Sequence, residues 1–408
     1  MGISNEEPLR VLAADDSVVM RGIMRRLFAM NDDDRLIGLP AMELCGVAQD
    51  GVECLEAAAR LRPDVLVLDL EMPRLNGLEV LDRLRDENPG LPVIMCSSYT
   101  ERGARSTLEA LARGAADYVM KPSEQRDLVL ALQSLAQQLL PKIAALAKRR
   151  ERRDGGGKAV AAQSAKAGQA QERAYAPIEV VVIGLSTGGP SALEQMLPRL
   201  PQDFPVPVLI VQHMPKLFTG ALAERLDRCC ALRVTEAYGN AAILPGTIWL
   251  APGDSHMEVA ERRMGLVIEG GNSEGGNSQG RAARVRLHRQ EPLNHCRPSV
   301  DYLFHSAARL YGSGVLALMM TGMGADGLDG ARAVHEAGGI VLAQDETTSA
   351  VWGMPGRVAE SGIASAVLPL AAIAGELRQR VSRTILPGTG ERGVATMGSR
   401  REGMHGVL

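Results

Sequence analysis

Residues Glu179-Val180-Val181-Val182-Ile183-Gly184-Leu185-Ser186-Thr187-Gly188-Gly189-Pro190 run from a β-branched apolar stretch into a glycine-rich turn, and Pro190 opens a helix. A serine on such a strand-to-helix turn has its hydroxyl lifted clear of the sheet. The surrounding glycines remove side chains that would block an approaching carbonyl. Backbone N–H groups at the helix start favour developing negative charge. The spacing satisfies Gly-x-Ser-x-Gly, but a loop that cradles a phosphate or nucleotide fits the same residues. The rest of the chain must decide.

From residue 178 the strand–helix alternation continues, with apolar runs at 206–211, 247–250, 315–320 and 339–343. A separate alternation precedes it, with runs at 9–14, 44–48, 64–68, 92–96 and 116–119. Both patterns predict parallel sheets wrapped by helices. The last helix of the first set carries Leu128, Leu132, Leu135, Leu139, Ile143 and Leu146 on one stripe. After it, Lys148-Arg149-Arg150-Glu151-Arg152-Arg153-Asp154-Gly155-Gly156-Gly157 opens a stretch of Ala, Gln, Gly and charge without apolar periodicity. That stretch reads as a flexible linker whose charges solvate a helix end. The expected organisation is α/β, with two doubly wound parallel-sheet domains over 8–147 and 178–385, a linker over 148–177 and a disordered tail over 386–408. Residues 32–42 and the Gly/Ser/Asn-rich 270–280 read as surface loops.

The 408 residues, 46% apolar and 23% charged, can bury more than one sizeable core. A net charge of −3 gives no general attraction to nucleic acid or anionic membranes, and 3% aromatics supplies few platforms for stacked bases. Six cysteines without Cys-x-x-Cys spacing argue for reduced thiols. No signal peptide opens the sequence, and no run approaches the ~18 apolar residues of a membrane span. The expectation is a monomeric cytoplasmic protein that neither inserts into a membrane nor binds nucleic acid.

Carboxylates fall at the ends of successive predicted strands, Asp15 and Asp16 after the first and Asp69 after the third. In a parallel sheet these ends share one edge. Three carboxylates there repel one another unless a divalent cation joins them, and oxygen ligands suit Mg²⁺. A metal-bound aspartate can attack a phosphoryl group. Ser97 can offer a hydroxyl, and Lys121 an ammonium, to the resulting phosphoryl oxygens. Each residue alone reads as a helix cap or strand-end polar group; five at matching strand ends do not. Together with Leu68-Asp69-Leu70-Glu71-Met72-Pro73-Arg74-Leu75-Asn76-Gly77, Ser97-Ser98 and Lys121-Pro122, they resemble the receiver domain of two-component response regulators over residues 9–147. The resemblance implies phosphorylation of Asp69 by a histidine kinase. It also implies Mg²⁺ held by Asp15, Asp16, Asp69 and the Glu71 carbonyl, a Ser97–Tyr118 switch pair beside Lys121, and a cis Lys121–Pro122 bond.

The second domain is too long and too rich in β/α units for a helix-turn-helix. If Ser186 is a nucleophile, it needs a base and an orienting acid. His213 directly follows Val208-Leu209-Ile210-Val211-Gln212 and therefore ends a strand on the same edge. His256, in Ala251-Pro252-Gly253-Asp254-Ser255-His256, is the alternative. His305 and His335 lie in helical patterns and read as packing or surface residues. Asp326, in Met319-Met320-Thr321-Gly322-Met323-Gly324-Ala325-Asp326-Gly327, repeats the strand–glycine loop–helix geometry and can orient His213, though alone it reads as a helix cap.

The order Ser186, His213, Asp326 differs from that of α/β-hydrolases. Residues 178–383 instead resemble the Rossmann-like catalytic domain of chemotaxis protein-glutamate methylesterases. The matching segments are 184–189, Gln212-His213-Met214-Pro215, Leu250-Ala251-Pro252-Gly253, Arg297-Pro298-Ser299-Val300-Asp301, 321–327 and Trp352-Gly353-Met354-Pro355. The resemblance implies that His213 takes the Ser186 proton and the alkoxide attacks the γ-carbonyl of a methylated glutamate on a chemoreceptor. Methanol then leaves, and water frees the acid. Backbone N–H groups, that of Met323 with Thr187 and Gly188 in support, hold the oxyanion; one such donor is worth ~3 kcal/mol. The same site deamidates receptor glutamines without a cofactor. The receiver is expected to cover Ser186 until Asp69 is phosphorylated, so a fragment starting near Ala176 should be more active than the resting chain. Two rival readings are a nucleotide-binding module and an inert scaffold behind a phosphate sink. The absence of Gly-x-x-x-x-Gly-Lys-Ser/Thr and of a full Gly-x-Gly-x-x-Gly speaks against the first, and labelling by a serine-directed fluorophosphonate separates it from an enzyme.

Overall fold

The computed structural model describes residues 7–29, 38–122, 128–154, 176–261 and 283–382. Most of the expected 32–42 excursion and of the linker, the 270–280 loop and the 386–408 tail lie outside them.

The first domain is one parallel sheet of β1 (Leu9–Ala14), β2 (Met42–Ala48), β3 (Val65–Asp69), β4 (Val93–Ser97) and β5 (Asp117–Met120), in the order β2-β1-β3-β4-β5. Helices α1 (Val18–Ala29), α2 (Gly51–Leu61), α3 (Gly77–Glu87), α4 (Glu101–Ala112) and α5 (Leu128–Asp154) cover it. Strands buried on both faces carry continuous apolar runs, as β3 and β4 do at every position but their final Asp69 and Ser97. Helix α5 continues to Asp154, so the linker does not begin at 148. The Arg150 guanidinium donates to the Pro63 carbonyl at 2.6 Å, holding the helix end against the base of the domain. Contrary to the sequence expectation, Val129–Arg150 is long and apolar enough to cross a membrane. Its stripe of Leu135, Leu139, Ile143 and Leu146 is instead buried in the domain core, and Lys142 pairs with Asp117 at 2.6 Å.

The second domain begins with β6 (Val180–Leu185), α6 (Gly189–Met196), β7 (Val208–Gln212) and α7 (Lys216–Cys229), followed by β8 (Arg233–Glu236) and β9 (Thr247–Leu250). A hairpin, β10 (His256–Glu261) with β11 (Ala283–His288), leads to α8 (Val300–Tyr311), β12 (Val315–Met319), α9 (Leu328–Glu336) and β13 (Ile340–Gln344). Helix α10 (Met354–Glu360), β14 (Ala366–Leu368) and α11 (Leu370–Ser382) close the described chain. The main sheet is parallel, in the order β14-β13-β12-β6-β7-β9-β8.

The two domains touch along α4. Its face packs against α6 and α7, and the Tyr118 ring stacks on Phe218 with centroids 4.8 Å apart. Ser191 Oγ donates to the Leu111 carbonyl at 3.1 Å, and Arg105 faces Glu224 at 3.4 Å. One cluster of buried apolar residues runs through both domains, from Leu108 and Tyr118 to Leu193 and Phe218.

Candidate active site

β1 and β3 end side by side and place Asp15 and Asp69 in one buried pocket, with Asp16 exposed at its mouth. Carboxylate oxygens of the three lie within 4.8 Å of one another. Lys121 Nζ reaches Asp15 Oδ2 at 2.9 Å and Asp69 Oδ2 at 2.8 Å. Burial, then the neighbouring Asp15 charge, raises the Asp69 carboxyl to about 6 against the pull of Lys121. Burial alone would lower Lys121, but Asp69 and Asp15 hold it above its ordinary value. Asp15 Oδ2 has the Lys121 charge beside it but no aligned hydrogen bond, and a buried carboxylate oxygen in that condition suits a hard cation with oxygen ligands.

The Ser97 hydroxyl is buried and accepts a hydrogen bond from Thr107 Oγ1 at 2.7 Å. One expectation differs here. The Lys121–Pro122 bond is not cis; among the described residues Arg297–Pro298 is. An X–Pro bond favours trans by ~0.5–1 kcal/mol, and Lys121 reaches both carboxylates in that form.

In the second domain β12, β6 and β7 are neighbours, with Gly184 paired to both Met319 and Val211. Ser186, His213 and the 321–327 loop therefore share one edge, where the strand order reverses. Ser186 N donates to the Thr321 carbonyl at 3.0 Å, and His213 N to that of Leu185 at 3.1 Å. Gln212 locks the turn: its Nε2 donates to the Ser186 carbonyl at 2.9 Å and the His213 carbonyl at 3.2 Å. A Cβ on Gly189 would lie 1.9 Å from Gln212 Oε1, and one on Gly322 2.9 Å from Ser186 Cβ, so a side chain at either position would displace part of the site.

Asp326 is 3% exposed and receives four hydrogen bonds. His213 Nε2 and Val300 N donate to Oδ2, each at 2.7 Å; Ser299 Oγ at 2.6 Å and Asn294 Nδ2 at 2.9 Å donate to Oδ1. Burial would raise this carboxyl, yet His213, Ser299 and Asn294 hold it below the usual carboxylate range. Asp326 is thus both the partner of His213 and the cap of α8. Glycine at 184 permits this, because a Cβ there would sit 2.4 Å from Val300 Cγ1 where α8 meets β6. Burial alone would lower His213, but Asp326 and then Cys296 hold it above its ordinary value.

The expected bond between Ser186 Oγ and His213 is not made. Nε2 is committed to Asp326, and Nδ1 faces Cys296 Sγ at 3.6 Å. The N–H groups of Thr187, Gly188 and Met323 have no hydrogen-bond partner among the described residues. His256, the alternative base, is fully buried elsewhere: its Nδ1 accepts from Ser299 N at 3.2 Å and its Nε2 donates to the Glu291 carbonyl at 3.2 Å. It braces a residue that bonds Asp326. His305 and His335 are exposed on α8 and α9.

Ser186 and His213 open on a cleft of about 630 Å³ whose other wall is the first domain, including Tyr99, Tyr118, Lys121, Gln138 and Lys142. Lys121 therefore touches the acid pocket and lines this cleft. Sequence reasoning expected the receiver to cover Ser186 but named no residue of that wall in the role, and it missed Asn294 and Cys296, which lie in a segment with no periodic signal. The clamp by Gln212 and the bond from Ser299 fall within segments the sequence did single out.

The response regulator receiver domain family model matches residues 11–133, and the CheB methylesterase family model matches residues 181–377. The chain is 42% identical over 378 residues to a protein-glutamate methylesterase/protein-glutamine glutaminase of Nocardioides sp., covering 92% of this chain and 96% of the relative. It is 40% identical over 372 residues to one from Trichodesmium erythraeum, covering 91% and 99%. Among solved structures it is similar to the CheB methylesterase catalytic domain of Thermotoga maritima, at 39% identity and a TM-score of 0.44, covering 50% of this chain and 98% of that one.

Proposed function

The chain belongs to the protein-glutamate methylesterase/protein-glutamine glutaminase family, and from that premise we propose that Ser186, His213 and Asp326 are its hydrolytic triad. The enzyme is a phosphorylation-regulated methylesterase and glutaminase of chemotaxis signalling, with a receiver domain ahead of the catalytic one.

The observation that carries the triad is the Asp326–His213 bond at 2.7 Å on the strand edge that also carries Ser186. Asp326 accepts from Nε2–H and so leaves the lone pair of neutral His213 on Nδ1. Catalysis requires that lone pair to turn from Cys296 Sγ to Ser186 Oγ, an adjustment of the kind that completes many sites only when substrate binds. Ser186 Oγ then attacks the γ-carbonyl of a receptor glutamyl methyl ester while His213 takes its proton. The unpartnered N–H groups of Thr187, Gly188 and Met323 are the available oxyanion donors. His213 returns the proton to departing methanol, or to ammonia from a glutamine, and activates the water that frees Ser186.

In the receiver, Asp15, Asp16, Asp69 and the Glu71 carbonyl would hold Mg²⁺, which when bound offsets the charge of the carboxylates and of the incoming phosphoryl group. Asp69 is the nucleophile toward a phosphodonor kinase, and Lys121 holds an ammonium against the product. The receiver spans 8–147 with α5 continuing to Asp154, and the catalytic unit spans 178–385. In the resting arrangement the receiver walls the cleft that substrate must enter. The protein works as a cytoplasmic monomer on membrane receptors. Ser186→Ala should lower methanol release on the order of 10⁶-fold, the scale for losing a triad serine, and abolish fluorophosphonate labelling while leaving Asp69 phosphorylation intact. Near-wild-type release would put the nucleophile elsewhere.

A further inference from the structure

His213 has two ring nitrogens and two partners of different kinds. Asp326 takes Nε2–H at 2.7 Å, and Cys296 Sγ stands 3.6 Å from Nδ1. One donor atom from each of His213, Cys296 and Asp326 lies within 4.8 Å of the others. A sulfur and an imidazole nitrogen bound to one zinc ion, at ~2.3 and ~2.05 Å with a tetrahedral angle between them, stand ~3.6 Å apart. The carboxylate on the far side of the ring is the outer partner that metal-binding histidines use to fix their tautomer and strengthen the ligating nitrogen. Cys296 and His213 both line the open cleft, so an ion can reach them from solvent.

We propose that Cys296 Sγ and His213 Nδ1 form an inhibitory site for a thiophilic divalent cation, zinc above all, with Asp326 orienting the imidazole behind it. As the ion binds, Cys296 gives its thiol proton to solvent and a metal–sulfur bond forms. His213 releases its Nδ1 proton to solvent where it carries one, and the freed lone pair becomes a metal–nitrogen bond in place of the contact with Cys296 Sγ. Two water molecules leave the ion, and those that remain fill its other positions toward the cleft. No electron is transferred. The site occupies the lone pair that would accept the Ser186 proton, so bound zinc stops acylation. That inhibition rests on the Ser186–His213 reading; the binding itself does not.

The test uses the full-length chain with Cys229→Ser and Cys230→Ser, which removes the vicinal thiols, and excess Mg²⁺ to occupy the receiver acids. Titrating Zn²⁺ against a chromophoric chelator should show one tightly bound ion, weakened more than ~10-fold by Cys296→Ser, the lower end of what even outer-shell changes cost. Co²⁺ in its place should give a thiolate-to-metal charge-transfer band that Cys296→Ser abolishes. In the protein with Cys296 intact, Zn²⁺ should slow alkylation of that thiol, a readout that needs no folded variant. Binding or a band that survives Cys296→Ser, or alkylation indifferent to Zn²⁺, overturns the site. Zn²⁺ should also suppress methanol release in step with occupancy and do so less in Cys296→Ser. Occupancy without loss of turnover overturns the inhibition. If Ser186→Ala remained active, the nucleophile reading would fail while the titration, band and alkylation results still stood.

Discussion

Asp69 ends a central strand of one parallel sheet and Asp326 sits in the loop that follows a central strand of the other, and each is nearly closed to water at 4% and 3% exposure. Their proton affinities nevertheless move in opposite directions. Asp69 receives the Leu70 N–H at 2.7 Å and Lys121, and it shares its pocket with a second buried carboxylate. Asp326 receives four donors from four different residues. Burial alone therefore does not fix the behaviour of a carboxylate; the donors and charges that face it decide the direction. The receiver pocket keeps acceptor capacity for a cation and a phosphoryl group. The catalytic pocket has used all of it, so its aspartate can orient but not react.

The sharpest way to break this contrast is to neutralise each acid in turn. Asp69→Asn should abolish phosphate incorporation from a small phosphodonor with Mg²⁺, because an amide is a far weaker nucleophile and a poorer ligand. Stable label in that variant would remove Asp69 from the acceptor role. Asp326→Asn should cost ~10⁴-fold in kcat for methanol release, the scale for losing a triad carboxylate, with receiver phosphorylation unchanged. A loss below ~10-fold would leave Asp326 only as the cap of α8.

The pH dependence sharpens the contrast further. Because the His213 pKa is raised in the resting fold, its base form is scarce at neutral pH, and methanol release should climb ~10-fold per pH unit until the raised pKa is passed. Stability runs the other way. The contribution of the charged His213–Asp326 pair is fully present below the unfolded histidine value of ~6.5 and is lost as pH rises through the folded one. A pH–rate profile that is flat over roughly one unit either side of neutrality would contradict the raised value. The smallest effect concerns the wall between the pockets. Arg105 and Glu224 are about two-thirds exposed, so their pair is worth ~0.2–1 kcal/mol. Arg105→Glu should raise the unphosphorylated esterase rate only a few-fold, and adding Glu224→Arg should restore it. An unchanged rate in the single variant would mean that this edge does not hold the receiver closed.

The sequence made the two sheets legible because parallel strands buried on both faces leave continuous apolar runs, as at Val180–Leu185 and within Val65–Asp69. It also exposed Asp15, Asp69, Ser186, His213 and Asp326, since residues at strand ends inherit their positions from those runs. The strands β8 and β14 escaped because edge strands of four and three residues with mixed exposure carry no strong pattern. Asn294 and Cys296 escaped for a different reason: a loop brings them to His213 and Asp326, and their contacts leave no period in the chain. The direction of the Ser97 hydroxyl depends on Thr107 one helix away, and the shared cleft depends on how α4 meets α7. Neither is a property of a local segment.

The hydrogen atom that stands in for a side chain at Gly189 has a consequence for how this sequence can drift. With Gln212 Oε1 only 1.9 Å from where a methyl carbon would go, the two positions behave as a single heritable unit. An alanine at 189 expels the carboxamide that clamps the nucleophile's turn, while a shorter residue at 212 leaves the glycine without its reason. A side chain at 189 is accommodated only where the residue at 212 is shorter or its carboxamide has swung aside, and in either case the clamp is lost.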